Sequence, residues 1–555
     1  VLISAFVSLT LTPVLNVKLS RKDRKHSRFY EWSEPFFVGM TEGYRRSLGN
    51  FMKRRGWAFA ILVMTASLGV GLFLLLQAEL APLEDRSVVR VQVTAPEGTS
   101  YGYMERYMDQ LTRMVDDSVS EKRVCLTIVA PGFAGTGSVN TGFLRVGLVE
   151  PDERGRSQGA IAAKLGKDVS TFPQGRAFVL QEPTISVGVG SRTSQPVQFV
   201  LQNNSFEKLK EFVPKFLAEA AQHPDLKDVD VNLKFTKPEL NVTIDRERAR
   251  AVGVSVFDVA RTLQLAYGGG RLSYFTRGGK QYQVIGQVEA GSRDEPLDLR
   301  SLYVRSSSGA LIQLDDLLDV EEASEPPQLY HYNRYRSATV SSGLPPGKTI
   351  GESINAMNAI ADKVLDESFT TSLSGASRDF AESGSNTLFA LVLALILIYL
   401  VLAAQFESFR DPFIIMLTVP LAFSGAILSL WIFNQTWNIF SQIGMIMLIG
   451  LVVKNGILIV EFANKQRERD GALSRVDAVI EAATQRLRPI LMTNIATVLG
   501  ALPIAIGLGN GAQSRIPMGI VVVGGLMLSV LLTLYVIPAM YSYIASRTRA
   551  IAEET

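Results

Sequence analysis

The sequence predicts a multi-pass α-helical membrane protein carrying a large exported α+β domain, and three observations predict it. Apolar runs at 57–78, 388–404, 413–433, 439–463, 489–508 and 518–544 have the length that crosses a hydrocarbon core as one helix. The long stretch 82–382 repeats a strand, a Pro/Gly turn and an amphipathic helix, the pattern of small α/β sandwiches. Lys and Arg gather in alternate loops, which sets an orientation. A mean hydropathy of +0.18 with 20% charged residues is too polar for an all-membrane chain and too apolar in blocks for a soluble one.

Other classes are excluded by composition. A net charge of +3 over 555 residues leaves no footprint for a nucleic-acid partner. Cys125 is the only cysteine, so no internal disulfide forms, and His26, His223 and His331 are too scattered for a zinc or copper site. No Ser/His/Asp set, nucleophile elbow or dinucleotide fingerprint is present, so catalysis has no visible residues. Ligation of a metal by carboxylates or methionines is left open by these counts.

Residues 1–17 are apolar without a charged leader region or a small-residue cleavage site, and read as the tail of a span whose beginning is missing. Residues 1–13 lie over 526–538 without a gap, Ser4 on Ser529 and Pro13 on Pro538. The first and last spans therefore read as copies within a duplicated bundle, or else as a chance match of short apolar segments. Lys18, Arg21, Lys22, Arg24, Lys25 and Arg28, then Lys53, Arg54 and Arg55, then Lys465, Arg467, Arg469, Arg475, Arg486 and Arg488 mark the cytoplasmic side. Alternation puts 82–382 on the far side. Phe37, Met40, Tyr44, Leu48 and Phe51, at spacings of three and four, predict an interfacial amphipathic helix that straps the bundle.

In the exported part, strand–turn–helix units begin at Val88 and Ala338, and a third unit runs from Val197 through a helix over 206–221 to a strand at 228–232. A fourth has a strand at 240–244 and a helix from Val256 opened by Ser255 and Asp258 and closed by Gly268. The Gly278–Gly279 pair predicts a hairpin turn. Gly132, Gly135, Gly137 and Gly142 surround Phe133 in a loop between strands at 124–129 and 143–148. That loop reads either as a plain connector or as a gate beside a substrate pocket.

Lys454 stands in the middle of the apolar run 439–463. A cation at that depth costs roughly 2.5 to 3.5 kcal/mol on insertion scales and implies a counter-charge. From mid-span the side chain does not readily reach an interface, and no partner is evident in this sequence. Gly444, Gly450 and Gly456 recur along the same helix at intervals of six, small enough for close approach to neighbours.

These features together resemble the resistance-nodulation-division (RND) efflux pumps, hydrophobe/amphiphile branch. The most specific segments are 450–463 around Lys454 and Asn455, 486–493 from Arg486 to Thr493, 405–412, and the Gly-Phe-Ala-Gly loop at 132–135. The match spans nearly the whole chain as the C-terminal half of such a transporter, half of a duplicated RND pump.

The resemblance implies repeated split βαβ (ferredoxin-like) porter subdomains at 85–190 and at 196–243 plus 330–378, with a docking insert at 244–329. Around them lie the end of a span at 1–18, a cytoplasmic linker at 19–56, a span at 57–81, five spans within 384–546 and a cytoplasmic tail at 547–555. It implies a homotrimer in the bacterial inner membrane, a periplasmic adaptor (membrane fusion) protein, an outer-membrane channel, and protons as coupling ion with no other cofactor. Lys454, Asn455, Arg486 and Thr493 become a proton relay whose aspartate partners lie in the missing half. Gly132, Phe133, Ala134, Gly135, Thr136 and Gly137 become the gate loop of a substrate pocket that also holds Leu126, Pro131 and Arg145. Relatives that take bulky drugs carry a phenylalanine cluster where this chain has Leu126, Pro131 and Arg145, so amphiphilic or anionic substrates are expected. Metal export, and a membrane-anchored sensor or assembly scaffold, are the competing readings.

Overall fold

A computed structural model describes residues 2–19, 28–131, 139–185, 195–292, 301–326, 328–469, 473–509 and 511–545. Helix α1 (Leu2–Leu19) contains Pro13 and exposes Ile3, Leu9 and Val17. Helix α2 (Arg28–Lys53) buries Tyr44, Leu48 and Met52, with Phe37, Met40 and Phe51 half-buried beside them. This is the apolar face the periodicity predicts. Helix α3 (Trp57–Leu75) follows and gives way to extended backbone at Leu76.

The extramembrane region then builds two sandwiches. The first runs β1 (Val88–Thr94), α4 (Tyr101–Ser118), β2 (Lys122–Val129), β3 (Thr141–Leu148), α5 (Gln158–Val169) and β4 (Arg176–Gln181), in an antiparallel sheet of order β2-β3-β1-β4. Val89, Val91 and Val93 alternate inward and are fully buried beneath Met104, Leu111 and Ile161 of the two helices. The hydroxyls of Ser100 and Ser157 accept the Tyr103 and Ala160 backbone N–H groups at the two helix N-termini, each cap contributing about 1 kcal/mol.

The second sandwich opens with β5 (Val197–Gln202), α6 (Phe206–Gln222) and β6 (Lys227–Val231). An insert interrupts it: β7 (Lys237–Ile244), α7 (Arg246–Ala251), α8 (Val256–Leu263), the hairpin β8 (Gly270–Arg277) and β9 (Lys280–Gly286), then β10 (Tyr303–Arg305), β11 (Leu311–Gln313) and β12 (Leu318–Glu325). The sandwich resumes with β13 (Tyr330–Tyr332), β14 (Tyr335–Gly343), α9 (Ile350–Val364) and β15 (Thr370–Leu373). Strands β6, β14, β5 and β15 repeat the order of the first sheet.

Two details of the insert differ from the sequence reading. Strand β7 pairs with β12 along its whole length, so residues 237–243 belong by hydrogen bonding to the insert and not to the second sandwich. Alternation reveals a strand without naming its partner. The left-handed residue after α8 is Gly269 (φ +71°), one beyond Gly268, because a wide turn over Gln264–Gly268 prolongs the helix. The Gly278–Gly279 turn is as expected: both residues have positive φ, the mirror-image turn that matches strand twist.

The chain returns through α10 (Gly375–Phe406), α11 (Arg410–Met416), α12 (Thr418–Ile432), α13 (Ile439–Arg469), α14 (Arg475–Ala505) and α15 (Ile516–Ile544). Among the described residues, α3, α10, the α11–α12 pair, α13, α14 and α15 are long and apolar enough to cross a membrane. The break between α11 and α12 has a local cause: Pro420 lacks the N–H that would bond the Met416 carbonyl. Helices α10 and α14 begin well before their apolar runs, since a formed helix gains one hydrogen bond for each residue it adds.

Small residues let α15 sit centrally. A methyl group on Gly425 would lie 2.8 Å from the Leu528 Cβ, and one on Gly444 would lie 2.9 Å from the Met518 carbonyl oxygen. Ser424 donates to the Thr65 carbonyl at 2.6 Å and Ser429 to the Ile520 carbonyl at 3.2 Å, so α12 is bonded to both α3 and α15. Helix α2 is tied on by Arg488 to Glu34 at 2.9 Å, by Arg45 to Glu481 at 3.1 Å, and by the Tyr44 hydroxyl donating to the Leu534 carbonyl at 2.6 Å.

Bundle and sandwiches meet at a short backbone ladder. Ala78 pairs in parallel with Trp437, just before α13. Trp437 N–H donates to Gln77 at 2.8 Å, Glu79 N–H to Trp437 at 3.1 Å, and Ile439 N–H to Leu80 at 3.2 Å. The Glu79 carboxylate accepts from Thr436 at 2.5 Å, while Asn438 caps α13 through its side-chain oxygen. Burial pushes the Glu79 carboxyl above its ordinary range, and the Thr436 hydroxyl opposes that shift.

Candidate functional site

Helix α13 has two different faces. On one side Met445, Leu448, Val452 and Ile459 are buried in the bundle. On the other, Ile443, Met447, Gly450 and Lys454 follow one another at helical spacing, and all are exposed. The three glycines therefore divide. Gly444 and Gly456 are close approaches, the latter against Ile415, whereas Gly450 has open space around it and lies on the exposed stripe. Lys454 makes no hydrogen bond or ion pair with any described residue.

Its neighbour Asn455 is buried and exchanges two hydrogen bonds with Asn494 of α14, at 3.2 and 3.0 Å. Each amide donates once and accepts once, so neither is left unpaired in an apolar setting. The Asn494 amide also donates to the Ile490 carbonyl at 2.7 Å. This bridge brings Lys454 and Thr493, the chain neighbours of the two amides, to one level of the bundle. The Thr493 hydroxyl is spent on the Ile490 carbonyl at 3.1 Å.

Arg486 is not at that level. It precedes Asn494 by eight residues, about 12 Å along a helix axis, and its guanidinium lies 4.5 Å from the Phe462 ring centroid with Nε buried and unpaired among the described residues. Sequence reasoning missed Asn494; the signal was a polar residue inside an apolar run. It also missed a buried chain near the same end, in which Tyr541 donates to Asn464 at 2.6 Å and Asn464 donates to Asp411 at 3.1 Å.

The second candidate region is the open face of the first sandwich. Leu126 on β2 is 49% exposed and lies opposite Arg145 of β3. Arg145 pairs with Glu182 at 3.7 Å, a carboxylate the sequence reading did not single out. Pro131 is partly buried at the end of β2. Gly132, Phe133, Ala134, Gly135, Thr136 and Gly137 lie outside the described residues. Next to this face a cleft of about 280 Å³ separates the two sandwiches above the bundle, lined by Glu79, Phe178, Leu180, Lys227, Leu344 and Ile350 among others. Its walls are mainly apolar with a few polar groups, the usual character of a small-molecule site.

The AcrB/AcrD/AcrF family model matches residues 1–545. A protein of Haemophilus influenzae described as an uncharacterized transporter is 31% identical over 553 residues, covering 98% of this chain and 53% of that protein. The chain thus spans about half the length of that relative. With six membrane-length helices and two sandwiches among the described residues, and a match along nearly the whole sequence, the chain belongs to the AcrB/AcrD/AcrF family of RND permeases.

Proposed function

We propose that this chain is the C-terminal half of a duplicated transporter, a proton-motive-force-driven antiporter exporting amphiphilic, drug-like compounds from the periplasm and inner membrane. In this reading the two sandwiches are ferredoxin-like porter subdomains, the insert docks, and a homotrimer works with a periplasmic adaptor and an outer-membrane channel.

The observation that carries the reading is Lys454, exposed at mid-helix on the open stripe of α13 and without a described partner. An intramembrane cation needs a counter-charge, and a carboxylate pair from the other half supplies it. Protonating that pair frees the lysine, so the pair has two states. Each proton crossing 100 mV releases about 2.3 kcal/mol, enough to bias a helix rearrangement. The Asn455–Asn494 bridge holds the buried side of α13 to α14, so the rearrangement moves both helices together.

The test is Lys454→Ala in the full-length protein. Export of an amphiphilic dye should fall to the level of cells lacking the protein, with normal membrane insertion. Export at the unsubstituted rate would sink the proton-relay role.

A further inference from the structure

The open face of the first sheet holds an arrangement that sheet stability alone does not favour. Register places Leu126, Arg145, Arg90 and Leu180 in one row across the four strands, and Ile128, Phe143, Gln92 and Phe178 in the next. Val89, Val91 and Val93 take the other face, so both rows point away from α4 and α5. Arg90 and Arg145 are direct cross-strand partners, and like charges so placed destabilise an antiparallel pair.

What surrounds the pair is asymmetric. The Arg90 guanidinium lies 3.8 Å from the Phe143 ring centroid, and its Nε is buried with no hydrogen-bond partner among the described residues. Stacking fixes the plane of the group while leaving its edge free for a ligand. Glu182 is the carboxylate set against the pair, 3.7 Å from Arg145, whose side chain remains 53% exposed. Among the described residues, two guanidiniums against one carboxylate leave one positive charge in excess. Burial pushes the Arg90 guanidinium below its ordinary value; Glu182 opposes that shift and Arg145 adds to it. At either end the row is apolar, and Leu180 and Phe178 continue into the cleft between the sandwiches.

We propose that Arg90 and Arg145 form an anion-recognition site for amphiphiles with a carboxylate, sulfonate or sulfate head. The head sits on the paired guanidiniums, which present planar forks matched to such groups. The apolar body runs over Leu180 and Phe178 into the cleft. Arg90 thereby becomes a specificity-determining residue and Glu182 a built-in competitor for the head group. The site deepens the transport reading and rests on it for the fate of the bound compound.

The test compares two probes with one body, dansylaminoundecanoic acid and its primary amide, titrated by fluorescence at neutral pH into full-length protein in maltoside micelles. The unsubstituted protein should bind the acid about tenfold more tightly than the amide, as charge-assisted contacts predict. Arg90→Gln and Arg145→Gln should each bring the two affinities close together, whereas Arg90→Lys should keep part of the difference. Glu182→Gln should tighten acid binding about threefold or more by removing the competing carboxylate, a gain that a merely structural role would not produce. It also serves if Arg90→Gln fails to fold.

Equal affinities in the unsubstituted protein, a preference that survives loss of both arginines, or unchanged acid binding in Glu182→Gln would each overturn the site. Lys454→Ala separates it from the transport reading. Export lost with acid preference intact supports both; preference absent while Lys454→Ala still abolishes export overturns the site alone. Preference present with export unchanged overturns the transport reading alone.

Discussion

The two sandwiches share one strand order and differ in the face turned away from their helices. On the second sheet the outward positions are Gln198, Val200 and Gln202 of β5 beside Ser341, Thr339 and Ser337 of β14, an uncharged set in which Val200, Gln202 and Ser337 are buried and the Gln202 and Ser341 side chains donate to nearby backbone carbonyls. On the first sheet the same positions carry Arg90, Arg145, Phe143, Phe178, Leu126 and Leu180. Strand order is set by the inward residues that pack on the helices. The outward set is free to vary, and it is amphiphilic and cationic on the first sheet and uncharged on the second.

The largest test of that separation is Phe216→Ala. Phe199 and Phe216 stack at 6.0 Å, nearly fully buried in the second core, and truncation should cost about 3–5 kcal/mol. Urea unfolding followed by protease cleavage should show the second sandwich opening early while the first keeps its acid probe. Loss of the probe at the same urea concentration would break the comparison by showing one shared stability.

Next in size, Arg145→Phe should shift the first face toward neutral aromatics, with N-phenylnaphthylamine binding tightened by about 0.5–1.5 kcal/mol, the worth of an added aromatic pair. Thr339→Phe at an outward position of the second sheet should leave that affinity unchanged, since its cross-strand neighbour Val200 is fully buried and offers the probe no exposed apolar surface.

A smaller effect concerns capping. Helix α9 starts with a full capping box, Thr349 and Glu352 each bonding the other's backbone, whereas α5 has only the Ser157 hydroxyl. Thr349→Ala should therefore destabilise its sandwich by about 1 kcal/mol or somewhat more, and Ser157→Ala by less, in the same urea experiment. The smallest effect is electrostatic and is read here in the first sandwich. The Arg156 guanidinium beside Glu121 holds that carboxyl down at about 2. Its contribution is present above the unfolded value of roughly 4.3 and is lost as pH falls toward the folded value. Glu121→Gln should flatten the fall in unfolding temperature between those limits, modestly, as befits a pair near water.

Much of this architecture was legible because it rests on one-dimensional periodicity. The six spans, the apolar face of α2 and the Gly278–Gly279 hairpin all follow from spacing. Pairings across the fold did not follow. Nothing in the alternation around Leu240 says that β7 joins β12, and nothing in the run around Asn494 says that its partner is Asn455. Arg90 escaped notice for a related reason: one Arg among alternating valines looks like a solvated strand face. Only the register reveals a second Arg opposite it. Lys454 was found because an energetic penalty, independent of partners, flags it.

The parallel bridge at Ala78 and Trp437 acts as a filter on motion. Three backbone hydrogen bonds along one edge resist sliding, because each must lengthen at once, yet tolerate rotation about the strand. A shift of α13 along its own axis therefore reaches Leu80 and, eight residues later, the start of β1; a tilt of the same helix is absorbed at the bridge. Trp437→Pro, which deletes the N–H bonded to Gln77, should uncouple the two parts. Cysteine cross-linking between α13 and the first sandwich should then lose any dependence on the state of Lys454, and a dependence that persists would assign the coupling to another contact.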